Sequence, residues 1–268
     1  MLESFDYMEA VQRLRPDVAL AVGDVLFGHQ PGAKRMDKMG DRTLAWLNEL
    51  IAGVNDEHDG APNTAIFAPI LPVPAEKQFY YLDALQSELK DELSGLVLYD
   101  TISIEATPKA LHHLPRLWLG EIKGPCQLLE AIAAGVDIFT IPFITEATDA
   151  GIALDFSFAV MSNEEVGSSK PLGIDLWAAL YAVELSPLSE GCTCYTCTHH
   201  HKAFVHHLLD AKEMLGWVLL QLHNHHAVDE FFVAVRQSIQ QGRFKHDKRR
   251  FAKAYETDLP AKTGQGPR

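Results

Sequence analysis

The chain has 268 residues, 47% apolar and 22% charged, the balance of an ordinary globular protein of one large domain or two small ones. A formal net charge of −13 argues against a protein that grips nucleic acid by broad electrostatics, so any RNA contact has to be local or lent by a partner. No apolar run approaches a membrane span, MLESFDYMEA lacks signal-peptide architecture, and four cysteines, three of them clustered, suit a reducing compartment.

Residues 1–15 read as the end of a helix broken at Arg15-Pro16-Asp17. PDVALAVGDV reads as a buried strand ending at Asp24, followed by a loop with Gly28, Pro31 and Gly32. KRMDKMGDRTLAWLNELI resumes helical spacing, with Met39, Leu44, Trp46, Leu47 and Ile51 as core positions. The alternation then repeats. NTAIFAPILPV, GLVLYDT, PRLWLGEI and VDIFTIPF are strand-like. Between them EKQFYYLDALQSELKDEL, ATPKALHHL and GPCQLLEAIAAG are helical, the last stopped by Gly135. Five strand-then-helix alternations predict an α/β fold with a parallel sheet, whose ligands sit beyond the C-terminal strand ends.

From Asp149 the pattern changes. GIALDFSFAV reads as an extended edge or hairpin, and MSNEEVGSSKPLG as a polar surface insertion. FFVAVRQSIQQGRF reads as a final helix, and residues from Thr257 onward as a disordered tail. The local basic patch lies in GRFKHDKRRFAK, with Arg243, Lys245, Lys248, Arg249, Arg250 and Lys253; its RNA-contacting reading stands beside that of a solvated helix face.

The densest chemistry lies between Gly191 and Asn224, GCTCYTCTHHHKAFVHHLLDAKEMLGWVLLQLHN. Cys192, Cys194 and Cys197 fall within six residues, a spacing too tight for a helix or regular strand and suited to a turn around a metal. Three thiolates and one imidazole make a closed tetrahedral Zn²⁺ site. Phe204, Val205, Leu208, Leu209, Leu215, Val218 and Leu219 predict one helix leading to His223, the fourth ligand. His199, His200, His201, His206, His207, His225 and His226 are rival ligands. Cys126 is left over as a small core residue.

This string, with HKAFVHHLL after the cysteines and a His-Asn pair separated from Cys197 by 25 residues, resembles the zinc motif of the tRNA-guanine transglycosylases. The likeness covers nearly the whole chain and is nearest to the non-catalytic subunit of the heterodimeric eukaryotic enzyme. The segment from YMEAVQRLRPDVALAVGDV onward resembles the one that supplies a base-recognising aspartate, here Asp24. LPRLWLGEIKGPCQLLEAIAAGVDIF resembles the segment leading to the catalytic strand. The resemblance implies a TIM-type (β/α)8 barrel with a C-terminal zinc subdomain and one structural Zn²⁺ on Cys192, Cys194, Cys197 and His223. It also implies a catalytic partner subunit, tRNA reached through the heterodimer, and exchange of guanine for queuine at the wobble position. A cytoplasmic location, with peripheral association at the mitochondrial outer membrane, is implied as well.

Departures from the family shape the expectation. Catalytic members carry an aspartate nucleophile directly after the phenylalanine of GVDIF-like strings, where this chain has Thr140. A threonine hydroxyl without an activating base is no comparable nucleophile. The strand near Ala65–Leu71 has no base-reading glutamine, and no Gly-Gly signature follows GLVLYD. Asp24 is therefore expected to be a relic that satisfies local backbone donors. With only five strand-helix units before the cysteines, the barrel is expected to be truncated at its N-terminus, spanning residues 1–160. An insertion and linker at 161–190, a zinc module at 191–256 and a tail at 257–268 complete the predicted division. The expected function is a non-catalytic accessory subunit. The alternatives are an active base-exchange enzyme using Asp137, Glu146 or Asp149, and a degenerate zinc-stabilised scaffold.

Overall fold

The apolar runs in the first half of the chain become the strands of one parallel sheet. The computed structural model describes residues 3–29, 31–55, 64–158, 169–261 and 263–264. Two units are distinguished, Met1–Gly120 with Ala134–Thr140, and Glu121–Ala133 with Ile141–Arg268. No described helix is long and apolar enough to cross a membrane.

In the first unit, α1 (Ser4–Leu14) opens with a capping box between Glu3 and Asp6 and stops at Arg15, whose φ of 46° is left-handed. β1 (Val18–Leu20), α2 (Ala33–Asn55), β2 (Ala65–Pro69), α3 (Phe79–Ser87), β3 (Gly95–Leu98), α4 (Thr101–Ala106) and β4 (Arg116–Trp118) follow. α5 (Pro125–Ala133), which belongs to the second unit, leads in sequence to β5 (Ile138–Phe139). The sheet runs β1-β2-β3-β4-β5, every pair parallel, with Leu20 opposite Phe67, Phe67 opposite Gly95 and Trp118 opposite Phe139. A Cβ on Gly95 would stand 2.5 Å from the Phe67 ring, so that register needs glycine. β2 and β3 are buried almost throughout, as parallel strands are.

The helices of this unit are tied down by specific bonds. Tyr7 donates to Leu20 O at 2.8 Å, and Tyr81 to Pro69 O at 2.7 Å. The buried Gln78 amide donates to Leu71 O and Val73 O and accepts from Leu71 N. Of the core positions expected on α2, Met39, Leu47 and Ile51 are buried, whereas Leu44 and Trp46 are only partly so.

Two boundaries differ from the sequence reading. α4 begins directly after β3 because Asp100 caps it, accepting from Ser103 N at 2.9 Å. The strand predicted over VDIFTIPF is two residues long, because Pro142 suits a first helical turn and starts α6 (Pro142–Asp149). Gly135, at φ 91°, follows α5 as expected.

The second unit adds an antiparallel pair, β6 (Ile152–Leu154) and β7 (Gly173–Asp175). Four helices follow: α7 (Tyr195–His199), α8 (Lys202–Asp210), α9 (Met214–Gln240) and α10 (Phe244–Ala254). Residues 161–168 of the expected insertion lie outside the described residues. Residues 169–190, expected as linker, contribute β7 and the buried Leu172, Leu176 and Leu188. The core joins Leu176 and Leu188 to Val205, Leu209, Trp217 and Leu220. A second cluster is aromatic: Phe156, Phe158, Phe231 and Phe251 meet edge-on or tilted at 5.5–6.2 Å.

The single helix expected between the cysteines and His223 is two. α8 ends at Asp210, Lys212 adopts a left-handed φ of 58°, and α9 starts at Met214. Leu215 and Val218, counted in that one helical spacing, are 47% and 49% exposed because the turn re-aims them. FFVAVRQSIQQGRF is no final helix: most of it completes α9, Gly242 breaks the chain at φ 67°, and α10 comes last.

Candidate metal centre

The cysteines are positioned by a turn and one helical turn. Gly191, at φ 74°, leads in, and Cys192 N donates to Ser189 O at 3.3 Å. Cys194 caps α7, its sulfur accepting from Cys197 N at 3.3 Å. Cys197 thus stands on a short helix, where the sequence suggested only a turn. Thr196, on the opposite side of that turn, is buried and donates to Leu219 O at 2.7 Å, fastening α7 to α9.

His223 lies within α9, fully buried. Its Nδ1 is 3.7, 3.5 and 3.4 Å from the sulfurs of Cys192, Cys194 and Cys197. All four donor atoms lie within 4.8 Å of one another. A tetrahedral ion with bonds of about 2.3 Å to sulfur and about 2.0 Å to nitrogen sets sulfur and nitrogen about 3.5 Å apart. The donors fit such an ion. The other ring nitrogen, Nε2, is 2.8 Å from Leu154 O, to which it donates, leaving the Nδ1 lone pair for the metal.

The next residue completes the support. The buried Asn224 accepts from Leu154 N at 2.8 Å and donates to Ile152 O at 3.0 Å and Thr148 Oγ1 at 2.9 Å. The free edge of β6 is therefore closed by two consecutive side chains of α9 instead of another strand.

Electrostatics favour a cation at the centre. Burial pushes the Cys194 thiol up, but bonds from His223 and from the Cys197 amide bring it down to about 6. Cys192 stays raised, burial outweighing its contact with His223. Burial opposes charge on His223, yet the three sulfurs raise its pKa to about 12.

The rival histidines have other partners. His199 stacks on Tyr195 and His200 on Phe204, with ring centroids 4.5 and 4.9 Å apart. His201 caps α8 by accepting from Phe204 N, and His206 donates to Leu176 O at 2.7 Å. His225 meets Gln221, and His226 meets Thr193. Among the described residues only Cys192, Cys194, Cys197 and His223 form a group of three or more metal-binding side chains, and His207 is not in it. Cys126 sits half-buried on α5, away from any such group.

At the sheet's C-terminal rim the first unit holds Asp24 after β1 and Thr140 after β5. Asp24 is buried, its amide donating to Thr43 Oγ1 at 3.0 Å. The expectation that its carboxylate serves backbone donors is overturned. One oxygen accepts from Arg35 at 2.5 Å, and the other takes Arg42 through Nε at 2.6 Å and through a terminal nitrogen. Guanidinium groups outcompete amides for a carboxylate because charge and fork geometry both favour them. Arg35 and Arg42, seven residues and two turns apart on α2, escaped the sequence reading, although that spacing was a signal. Thr140 Oγ1 lies 3.4 Å from Trp118 O.

Asp137 precedes β5, at the opposite end of the strand, and accepts from Arg116 N at 2.9 Å. Glu146 and Asp149 are exposed on α6.

The basic patch resolves into two classes. Arg243 pairs with the buried Asp247 at 2.9 Å, Lys248 pairs with Glu130 at 2.6 Å, and Arg250 also has a partner. Lys245, Arg249 and Lys253 are exposed at four-residue spacing along α10, hence on one face.

The model of the family described as queuine tRNA-ribosyltransferase matches residues 1–257. The chain is 36% identical over 267 residues to a Schizosaccharomyces pombe protein named queuine tRNA-ribosyltransferase accessory subunit 2, covering 98% of this chain and 59% of that one. Proteins of the same name from Anopheles gambiae and Xenopus tropicalis are 30% and 28% identical, with 87% and 88% of this chain and 57% and 66% of theirs covered. The chain thus spans about three-fifths of the length of its first relatives.

Proposed function

The chain belongs to the queuine tRNA-ribosyltransferase family, and we propose that within it the chain is the non-catalytic accessory subunit of a heterodimeric enzyme that exchanges guanine for queuine at the tRNA wobble position. The observation that carries this reading is Asp24. A buried carboxylate that already accepts three guanidinium N–H bonds from Arg35 and Arg42 is poorly placed to read a purine edge as well. Thr140, where catalytic members of the resembling family place their nucleophile, agrees with it: among the described residues its hydroxyl meets a carbonyl and no activating base.

The ion of the Cys3His centre is one structural Zn²⁺. Soft thiolates with an imidazole select zinc, and four protein donors leave no open position for catalysis. The five strands form an arc of a (β/α)8 barrel, since they step in one direction without the reversal that marks a doubly wound sheet. The catalytic partner docks on the exposed stripe Leu215, Val218 and Leu222 of α9, beside the metal, and tRNA meets Lys245, Arg249 and Lys253 of α10.

The test is incorporation of labelled queuine into tRNA by this chain, by the catalytic subunit, and by the two together. Activity confined to the mixture, with co-elution of the chains, is the expected result. Turnover by this chain alone would refute the non-catalytic assignment, and failure to co-elute would refute the partnership.

A further inference from the structure

We propose that the hollow beside Asp24 is an oxyanion site that takes the phosphate group of a nucleotide or of an RNA strand. The hollow, about 730 Å³, is lined by Asp24, Gly32, Lys34, Arg35, Arg42 and Trp46 among others. Three cations against one carboxylate leave two positive charges in excess, on a chain whose net charge is −13.

Asp24 organises the cations without exhausting them. Its carboxylate, 6% exposed, engages one terminal nitrogen of Arg35, and Nε with one terminal nitrogen of Arg42. The remaining terminal nitrogen of each, with Nε of Arg35, has no partner among the described residues. Both side chains are about half exposed, at 45% and 40%. Two guanidinium groups held by a buried anion lose little further entropy on binding, and their forks match phosphate oxygens.

The ligand class follows from the charge. A neutral purine donating N–H groups would find a buried Asp24 with three of its acceptor sites taken, whereas an anion finds unused donors and the Lys34 ammonium. Trp46 supplies an aromatic wall for a ring attached to the phosphate. The position past the C-terminal end of β1 is where parallel sheets hold ligands. Nothing here depends on the accessory-subunit reading.

The experiment is calorimetric titration of the full chain with inorganic phosphate, a nucleoside 5′-monophosphate, the matching nucleoside, and a short single-stranded RNA, in about 50 mM salt. The phosphate-bearing probes should bind, with the monophosphate favoured over the nucleoside by about ten-fold or more. Lys34→Glu, at an exposed position, should weaken the monophosphate by about ten-fold with the melting temperature unchanged. RNA tighter than the monophosphate identifies a strand as the ligand, and equal affinity identifies a free phosphate ester. Arg42→Ala leaves a buried carboxylate half-paired and can cost the fold, so Lys34→Glu decides. Equal binding of nucleoside and monophosphate, no binding of any phosphate probe, or indifference to Lys34→Glu would overturn the proposal.

Discussion

Nε2 of His223 donates to the carbonyl of Leu154 at 2.8 Å, and that bond decides which ring nitrogen faces the three sulfurs. The metal site is thereby built into the fold of the second unit. β6 orients the ring, α9 carries it, and α7 brings the cysteines to it.

Removing the ion should unfold more than the cysteine turn. Binding free energy at a site absent from the unfolded chain is folding free energy. Chelation, or Cys194→Ser, should lower the stability of the second unit by more than about 3 kcal/mol. Thermal unfolding with and without chelator reads this, with metal content measured in parallel. An unchanged melting curve after complete metal loss would speak against a structural role.

Asn224→Ala should be costly without touching a ligand. It strands the Leu154 amide and the Ile152 carbonyl in the core and deprives Thr148 of a partner. At about 1–3 kcal/mol for each of the two backbone groups left unpaired, a loss of roughly 2–6 kcal/mol in urea unfolding is expected.

Thr140→Ala should leave queuine incorporation by the mixed subunits within about two-fold of the original. Its hydroxyl makes one long bond to Trp118 O, and such a bond is worth no more than about 1 kcal/mol. A collapse of turnover with the heterodimer intact would make Thr140 a participant.

The two classes of cation on α10 predict two behaviours. Lys245, Arg249 and Lys253 changed together to alanine should weaken tRNA binding by the complex and reduce the slope of log affinity against log salt by about 2–3. Lys248→Ala, which removes a pair with Glu130, should leave that slope alone. Equal slopes for both variants would return the stripe to ordinary solvated surface.

Asp247 predicts a pH dependence. Burial raises its pKa, but Ser238, His246 and Arg243 outweigh that and hold it below the usual carboxylate range. A depressed folded value stabilises the protein above the unfolded value of about 3.9, and the gain is lost as pH falls through the folded value. Asp247→Asn should therefore cost about 1–2 kcal/mol at pH 7, and the gap should close as the pH falls through the depressed folded value.

Much of this was legible in the residues, because burial writes itself as runs. The strands around Ala19, Phe67, Val97 and Leu117 are short apolar runs between helical spacings, and the sheet follows from their alternation. The clustering of Cys192, Cys194, Cys197 and His223 was legible because sulfur chemistry leaves few other uses for three neighbouring cysteines. The break at Lys212 was not, since no glycine or proline marks it and the apolar spacing continues across it. β7 was hidden by its length of three residues. The arginines on Asp24 were hidden because a long side chain reaches its partner from another element. Asn224 and Thr148 carried the faint signal that such partnerships leave, a polar residue at a position of apolar spacing.

α9 runs 27 residues, about 40 Å, with its metal ligand at the tenth. A helix turns only as a whole, by about 100° per residue. Pinning one ring at one azimuth therefore sets the bearing of every other side chain along it. An ion bound at His223 would fix the heading of Leu215, Val218 and Leu222 at one end and of Phe231 and Val235 farther on. His223 is the zero mark of a compass card, and a change there that rotated α9 by a single position would point all of those faces elsewhere at once.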